Sequence, residues 1–188
     1  MAVYPPPEAV EDLATFLSGL HLGRAADRGV NARLATRAHW HVTLAFLGDV
    51  ADDRVPKAAA ALEVLPVAVP PPVLQIAGAG RFGRGRFTIV WAGLRGDVTQ
   101  LTGLAKGVRR ELRRARLPYD EKPLRPHLTL ARPGDRLPAE QIAADLAALR
   151  GYEGPEWTVE AVRLMRSHLG PHPHYDTLHS VPLVGSPS

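Results

Sequence analysis

The segment His41-Val-Thr-Leu-Ala45 returns, with one apolar exchange, as His127-Leu-Thr-Leu-Ala131. Both copies lie in stretches rich in β-branched, aromatic and leucine residues. HWHVTLAFLG runs into a turn at Gly48-Asp49, and HLTLAR ends at Pro133, so each copy reads as a strand. On a strand, residues i and i+2 share a face. His41 with Thr43, and His127 with Thr129, each present an imidazole and a hydroxyl side by side, while Val42, Leu44, Leu128 and Leu130 point into a core. Each half of the chain supplies one copy. A fold that uses both polar faces has to bring two strands from distant parts of the sequence to one cleft.

Helical and strand patterns alternate around these copies. PEAVEDLATFLSGL (7–20) places Val10, Leu13, Leu17 and Leu20 at helical spacing, with Pro7 suited to the first turn. A stretch rich in Gly, Asn and Arg (23–38) precedes the first copy. A helix is expected over 52–65, closed by Pro66, and a strand from Val73, because Pro70-Pro71-Pro72 cannot sit in a central strand. VLQIAGAGRFG and GRFTIVWAGL form a glycine-rich hairpin. Residues 97–117 are a long helix with Val98, Leu101, Leu104, Val108 and Leu112 as its apolar stripe. A proline-containing loop leads to the second copy, followed by a helix at 138–149. Strands near 156–167 and 174–184 close the chain, joined by a turn at 170–173, and the last four residues are expected to fray. This order points to an α/β or α+β chain.

A length of 188 residues fits one domain, or two small lobes sharing a core, and 45% hydrophobic residues supply that core. The absence of cysteine excludes disulfides, thiolate–metal sites and a Cys nucleophile. No apolar run approaches the ~20 residues that cross a bilayer, and the start, MAVYPPPEAVEDL, lacks a secretory pattern. A soluble cytoplasmic protein without membrane association is expected. The formal charge is +4, and of the 23 cationic residues only Lys57, Lys106 and Lys122 are lysines. Arginine's planar fork suits phosphate, although a coding bias towards Arg, Ala, Gly and Pro explains its abundance equally well.

Two imidazoles and two hydroxyls in one cleft match the needs of phosphodiester cleavage. Histidine ordinarily titrates near 6.5, so one neutral and one protonated ring can deprotonate a nucleophile and protonate a leaving group in the same step. The threonine hydroxyls can hold non-bridging phosphate oxygens. A single His-x-Thr-Leu strand is more often structural than catalytic; two copies at the head of the same pentapeptide favour function.

The chain resembles the two-histidine phosphoesterases, and among them the RNA 2′,3′-cyclic phosphodiesterases, also called 2′-5′ RNA ligases. WHVTLAFLGDV, the AGAGRFG hairpin, IVWAGL, RPHLTLAR and SHLGPHPHY follow that family's blocks in order, over nearly the whole chain. The resemblance implies a bilobal fold, with two pseudo-twofold-related lobes of antiparallel sheet, helices outside and a central cleft, all within one interleaved domain spanning 1–188. It implies metal-independent hydrolysis of a terminal 2′,3′-cyclic phosphate on RNA or a nucleotide to a 2′-phosphate, with 2′-5′ ligation as the reverse. No cofactor is expected, and a monomer suffices. His41 and His127 would be the catalytic pair, Thr43, Thr129 and Arg132 the phosphate ligands, and Phe46 a base-stacking residue. Phe46 and Arg132 stand at the fifth position after each histidine, which has the wrong parity on a straight strand. Both sit where the strand can bend or stop. Arg125 is a weaker candidate that can instead pair with Asp120 or Glu121. The segment before Pro5 is shorter than the family's opening strand, which puts an edge of the sheet in question.

Other patterns lead elsewhere. Gly78-Ala-Gly80-Arg-Phe-Gly83 matches the dinucleotide fingerprint, but strand-forming RGRFTIVWAG follows it where a helix is required. His39-Trp-His41 and His168, His172 and His174 invite a metal reading. The second group carries Gly170, Pro171 and Pro173, which makes His172 and His174 turn residues, and no acidic residue is expected to join it. Arg109, Arg113 and Arg116 recur at helical spacing and read as a solvated face, unless that face borders the cleft and steers an RNA backbone. A non-catalytic RNA- or nucleotide-binding module is therefore the alternative, although no aromatic platform interleaved with basic residues is evident.

Overall fold

The computed structural model describes residues 1–65, 70–168, 170 and 174–183. In chain order the strands are β1 (Ala2–Val3), β2 (Val42–Thr43), β3 (Val73–Phe82), β4 (Ile89–Gly96), β5 (Leu128–Ala131), β6 (Glu153–Thr158), β7 (Ala161–His168) and β8 (His174–Pro182). The α-helices are α1 (Pro7–Ser18), α2 (His21–Arg24), α3 (Val55–Glu63), α4 (Val98–Arg114) and α5 (Ala139–Arg150). All eight strands join one sheet in the order β6-β3-β4-β5-β2-β1-β7-β8, and neighbouring strands run antiparallel.

That order divides the sheet at the β2–β5 pair. The central part of the chain supplies β3 to β6 on one side, and the two ends supply β1, β2, β7 and β8 on the other. The two histidine segments meet at this seam. Val42, Leu44, Leu128 and Leu130 are fully buried behind it, as period-2 alternation requires. α1 packs on β6 and α5 on β3, while α3 lies against α4, β7 and β8. In α4, Leu101, Leu104, Val108 and Leu112 are buried as the stripe predicts. The buried carboxylate of Asp145 in α5 accepts the backbone N–H groups of His21 (3.0 Å) and Leu22 (2.8 Å), tying α2 to α5.

Several boundaries differ from the sequence reading. β2 pairs over only two residues, because Trp40 closes a 3-10 turn onto Arg37 and the N–H groups of Leu44 and Ala45 turn to the Met1 carbonyl. The strand expected over 156–167 is two strands: β6 pairs with β3 up to Thr158, and β7, from Ala161, pairs with β1 and β8 on the other side of the sheet. β6 lies at the sheet edge, where Pro155 is tolerated. The short β1 is not an edge strand: it lies between β2 and β7. The dinucleotide fingerprint runs through β3, and its central glycine is explained by packing. A Cβ on Gly80 would stand 2.2 Å from the Trp91 ring, so glycine lets the indole lie against the strand. Pro66, positions 171–173 with His172, and the four C-terminal residues lie outside the described residues.

Because Val42 and Leu128 are register partners at the seam, Leu128→Ala should lower stability by about 3 kcal/mol. Chemical denaturation of this variant, of Val42→Ala and of the pair should also show a double-mutant loss that departs from additivity.

Candidate active site

The register of the seam sets the geometry. Val42 faces Leu128 in antiparallel pairing, so one step to either side places His41 opposite Thr129 and Thr43 opposite His127. Each imidazole thus has a threonine two residues away on its own strand and another across the ladder. The four side chains share the face opposite the buried valine and leucines.

The two rings meet different surroundings. His127 Nδ1 lies 2.6 Å from the Arg125 carbonyl. A carbonyl only accepts, so Nδ1 carries the hydrogen and Nε2 is left for a substrate. Phe82 meets the His127 ring edge-on with centroids 5.0 Å apart, and Trp91 stands 6.2 Å away. His41 lies between Tyr4, at 5.4 Å, and Tyr175, at 5.2 Å. Its Nδ1 is buried without a full hydrogen bond among the described residues. Burial pushes the His41 imidazole down to about 4 from the ordinary 6.5. The His39 backbone opposes that shift, and the N-terminal amine, His39 and His127 add smaller repulsions to it.

A cleft of about 410 Å³ opens beside His127, lined by Thr43, Phe46, Phe82, Arg109, Lys122 and Arg125 among others. Phe46 is 63% exposed. It lies beyond the end of β2, past the point where the Leu44 and Ala45 N–H groups share the Met1 carbonyl and break the alternation, and its carbonyl accepts the Asp120 N–H at 2.7 Å. Arg132 lies one residue past β5, exposed, with its N–H on the Arg33 carbonyl at 3.1 Å, and it is not part of this cleft wall. Arg125 makes no ion pair with Asp120 or Glu121 among the described residues; Asp120 pairs with Lys122.

Sequence reasoning named Arg109 but did not single it out from the other arginines of its helix. Its Nε donates to the Leu44 carbonyl at 3.1 Å and its Nη1 to the Lys122 carbonyl at 2.8 Å, joining α4 to the end of β2 and to the loop before β5. Only its place in the helical arginine series marked it. The aromatic walls were missed, because Tyr4, Phe82, Trp91 and Tyr175 come from four strands or their ends and no spacing links them.

The histidine groups outside the seam also need correction. His39 belongs to a 3-10 turn (Arg37–His39) and does not share a strand with His41. His174 is a strand residue paired with His168, and their rings stack at 4.3 Å. Asp176 joins them, with Oδ2 2.8 Å from His168 Nε2, so the acidic neighbour expected to be absent is present. Cross-strand pairing supplies it from two residues beyond His174. Among the described residues, no helix is long and apolar enough to cross a membrane.

Residues 6–171 match the 2′-5′ RNA ligase superfamily. An RNA 2′,3′-cyclic phosphodiesterase of Geobacillus stearothermophilus is 30% identical over 152 residues, covering 79% of this chain and 46% of that protein. The chain thus spans about half the length of that relative. An RNA 2′,3′-cyclic phosphodiesterase of Thermus thermophilus is 33% identical over 151 residues, covering 77% of this chain and 72% of its own. The crystal structure of TT0787 from Thermus thermophilus matches with a TM-score of 0.69 at 27% identity, covering 98% of this chain and 96% of that one. E. coli LigT, solved with 3′-AMP, shares the fold with a TM-score of 0.70 at 23% identity, over 97% and 95% of the two chains. With its two histidine–threonine strands paired at the centre of this sheet, the chain belongs to the 2′-5′ RNA ligase superfamily.

Proposed function

We propose that the protein hydrolyses the 2′,3′-cyclic phosphate at an RNA end to a 2′-phosphate, with His41 and His127 as a metal-independent acid–base pair. The observation that carries this reading is the diagonal placement of two His–Thr pairs across the β2–β5 seam. One imidazole takes a proton from water as its oxygen attacks phosphorus in line with the P–O3′ bond. The other gives its proton to O3′ as that bond breaks. The products are a 2′-phosphomonoester and a free 3′-hydroxyl. The two rings exchange protonation states and are reset through solvent.

Thr43 and Thr129 hold the non-bridging oxygens and stabilise the charge that develops on them; Arg132, exposed just past β5 and outside the wall of the His127 cleft, joins them only by reaching over the seam. Phe46 offers an exposed ring to the terminal base. The bound phosphate favours one imidazolium in the cleft, and a second cation beside it would be repelled, so one ring stays neutral. With a 5′-hydroxyl in place of water, the same two proton transfers open the cyclic phosphate, release O3′ and give the 2′-5′ linkage.

Hydrolysis of a cyclic-phosphate nucleotide in EDTA by the unaltered protein, with losses of at least about 10³-fold in His41→Ala and His127→Ala, is the expected result. Abolition by EDTA would point to a metal enzyme, and turnover retained in either variant would end the two-histidine mechanism. RNA binding without turnover by the unaltered protein would favour a binding module instead. The kcat/KM profile should be bell-shaped, and a flat one would count against the pair.

His41 also makes a separate prediction for stability. In the folded chain it titrates at about 4, against about 6.5 when unfolded. Between these values the unfolded chain binds a proton that the folded chain refuses. The stability from keeping the ring neutral is therefore full above about pH 6.5 and is lost as pH falls towards 4. Denaturation at pH 7 and pH 4.5 should show about 2.5 kcal/mol more acid destabilisation in the unaltered protein than in His41→Ala.

A further inference from the structure

Lys106, Arg109, Arg110 and Arg113 occupy α4 at spacings of three and four residues, which makes one stripe about 10 Å long. The helix's arginines do not all stand free in solvent as a solvated face would. Arg110 and Arg114 share the buried Glu111 carboxylate, at 2.9 and 3.0 Å, and their hydrogen bonds, Arg110's first, hold its pKa below the usual carboxylate value. Arg109 donates to two backbone carbonyls, and Arg113 donates to the Tyr119 hydroxyl at 2.6 Å. Those acceptors are uncharged. Among the described residues no carboxylate forms an ion pair with Lys106, Arg109 or Arg113, and only the field of Arg109 reaches Asp120, so this face keeps a net positive charge.

These residues line a groove of about 350 Å³ with Tyr119 and Glu121. Arg109 lines the groove and also the cleft that holds His127 and Phe46, so the two share a wall. Lys122 and Arg125 add further cationic side chains on the cleft side. A second large cavity, of about 660 Å³, lies beside Tyr4 and Tyr175 on the His41 side. It contains Arg37 and Arg163, but Glu8, Glu11 and Glu160 line it too, and Arg37 is paired with Glu11. A polyanion leaving the cleft therefore meets net positive charge along α4 and a surplus of carboxylates on the other side.

A 2′,3′-cyclic phosphate exists only at the 3′ end of a strand, so every further nucleotide departs through the 5′ phosphate. We infer that the α4 groove binds the RNA strand immediately 5′ of the reacting nucleotide. Lys106 and Arg113 contact its phosphates, and Arg109 stands where the strand leaves the cleft. The inference rests on the phosphodiesterase reading and narrows its substrate to oligonucleotide ends in preference to mononucleoside cyclic phosphates. Binding along the groove is independent of sequence, because the groups offered are phosphate ligands and the Tyr119 ring is already engaged by Arg113.

The test compares cytidine 2′,3′-cyclic phosphate with a tetraribonucleotide ending in the same group. The unaltered protein should prefer the tetranucleotide. The Lys106→Gln/Arg113→Gln double variant should lose about tenfold in kcat/KM on the tetranucleotide and leave the mononucleotide unchanged. Its slope of log kcat/KM against log salt should flatten by about 1.4, from two single-strand phosphate contacts at about 0.7 each. Lys106→Arg/Arg113→Lys, which keeps both charges, should restore the preference. Equal kcat/KM for the two substrates in the unaltered protein would overturn the inference, as would an effect of the double variant on both substrates or on neither. Failure of the unaltered protein on both substrates would instead end the phosphodiesterase reading. Fluorescence anisotropy of a labelled tetranucleotide ending in a 2′-phosphate then decides the groove separately: weaker binding in the double variant supports it, and unchanged binding removes it.

Discussion

Every feature of the candidate site depends on the antiparallel pairing of β2 with β5. The ladder is short, with Val42 facing Leu128, yet it joins the half of the sheet built from the middle of the chain to the half built from its ends. A shift of one residue in this register would send the imidazoles to the helix-covered face and the leucines to the cleft. Full burial of Val42, Leu44, Leu128 and Leu130 opposes that shift. The apolar positions of the repeat therefore fix the polar ones. β1 and β4 hold the seam from either side, and Arg109 reaches the Leu44 carbonyl from α4.

The parts of this arrangement that obey a local period were legible in the sequence. α1 and α4 follow 3.6-residue stripes, and the two histidine segments follow period 2. The fold class and the sharing of a face by each His–Thr pair came from those periods, and the hairpin in place of a dinucleotide loop came from the strand-forming residues after the glycines. What escaped depends on which strand lies beside which. Nothing in the residues before Pro5 shows that β1 is central, and no spacing tells that Tyr4 and Tyr175 converge on His41. Asp176 reaches His168 only because β7 and β8 pair. Arg109 could be placed on a helix face, but its carbonyl partners lie on a strand end and a loop remote in sequence.

Charge follows the same rule. The arginines of α4 look alike in the sequence, and one buried carboxylate separates them into two groups. Glu111 takes Arg110 and Arg114; Arg109 and Arg113 turn to neutral acceptors, and this side of the helix keeps a net positive field. Composition reports a modest excess of positive charge, whereas the fold decides where that excess acts.

The two histidines are equivalent in the repeat and unlike in the structure. His127 is anchored through Nδ1 on a backbone carbonyl beside an open cleft. His41 is packed between two tyrosines, with its Nδ1 buried and its proton affinity reduced. An acid–base pair needs one ring charged and one neutral at the same pH, and two identical environments would leave that choice to mutual repulsion alone. Here burial between Tyr4 and Tyr175 already lowers the proton affinity of His41 before any phosphate arrives. The repeat brings two imidazoles to one seam, and the non-repeated elements around them give the two rings unequal surroundings.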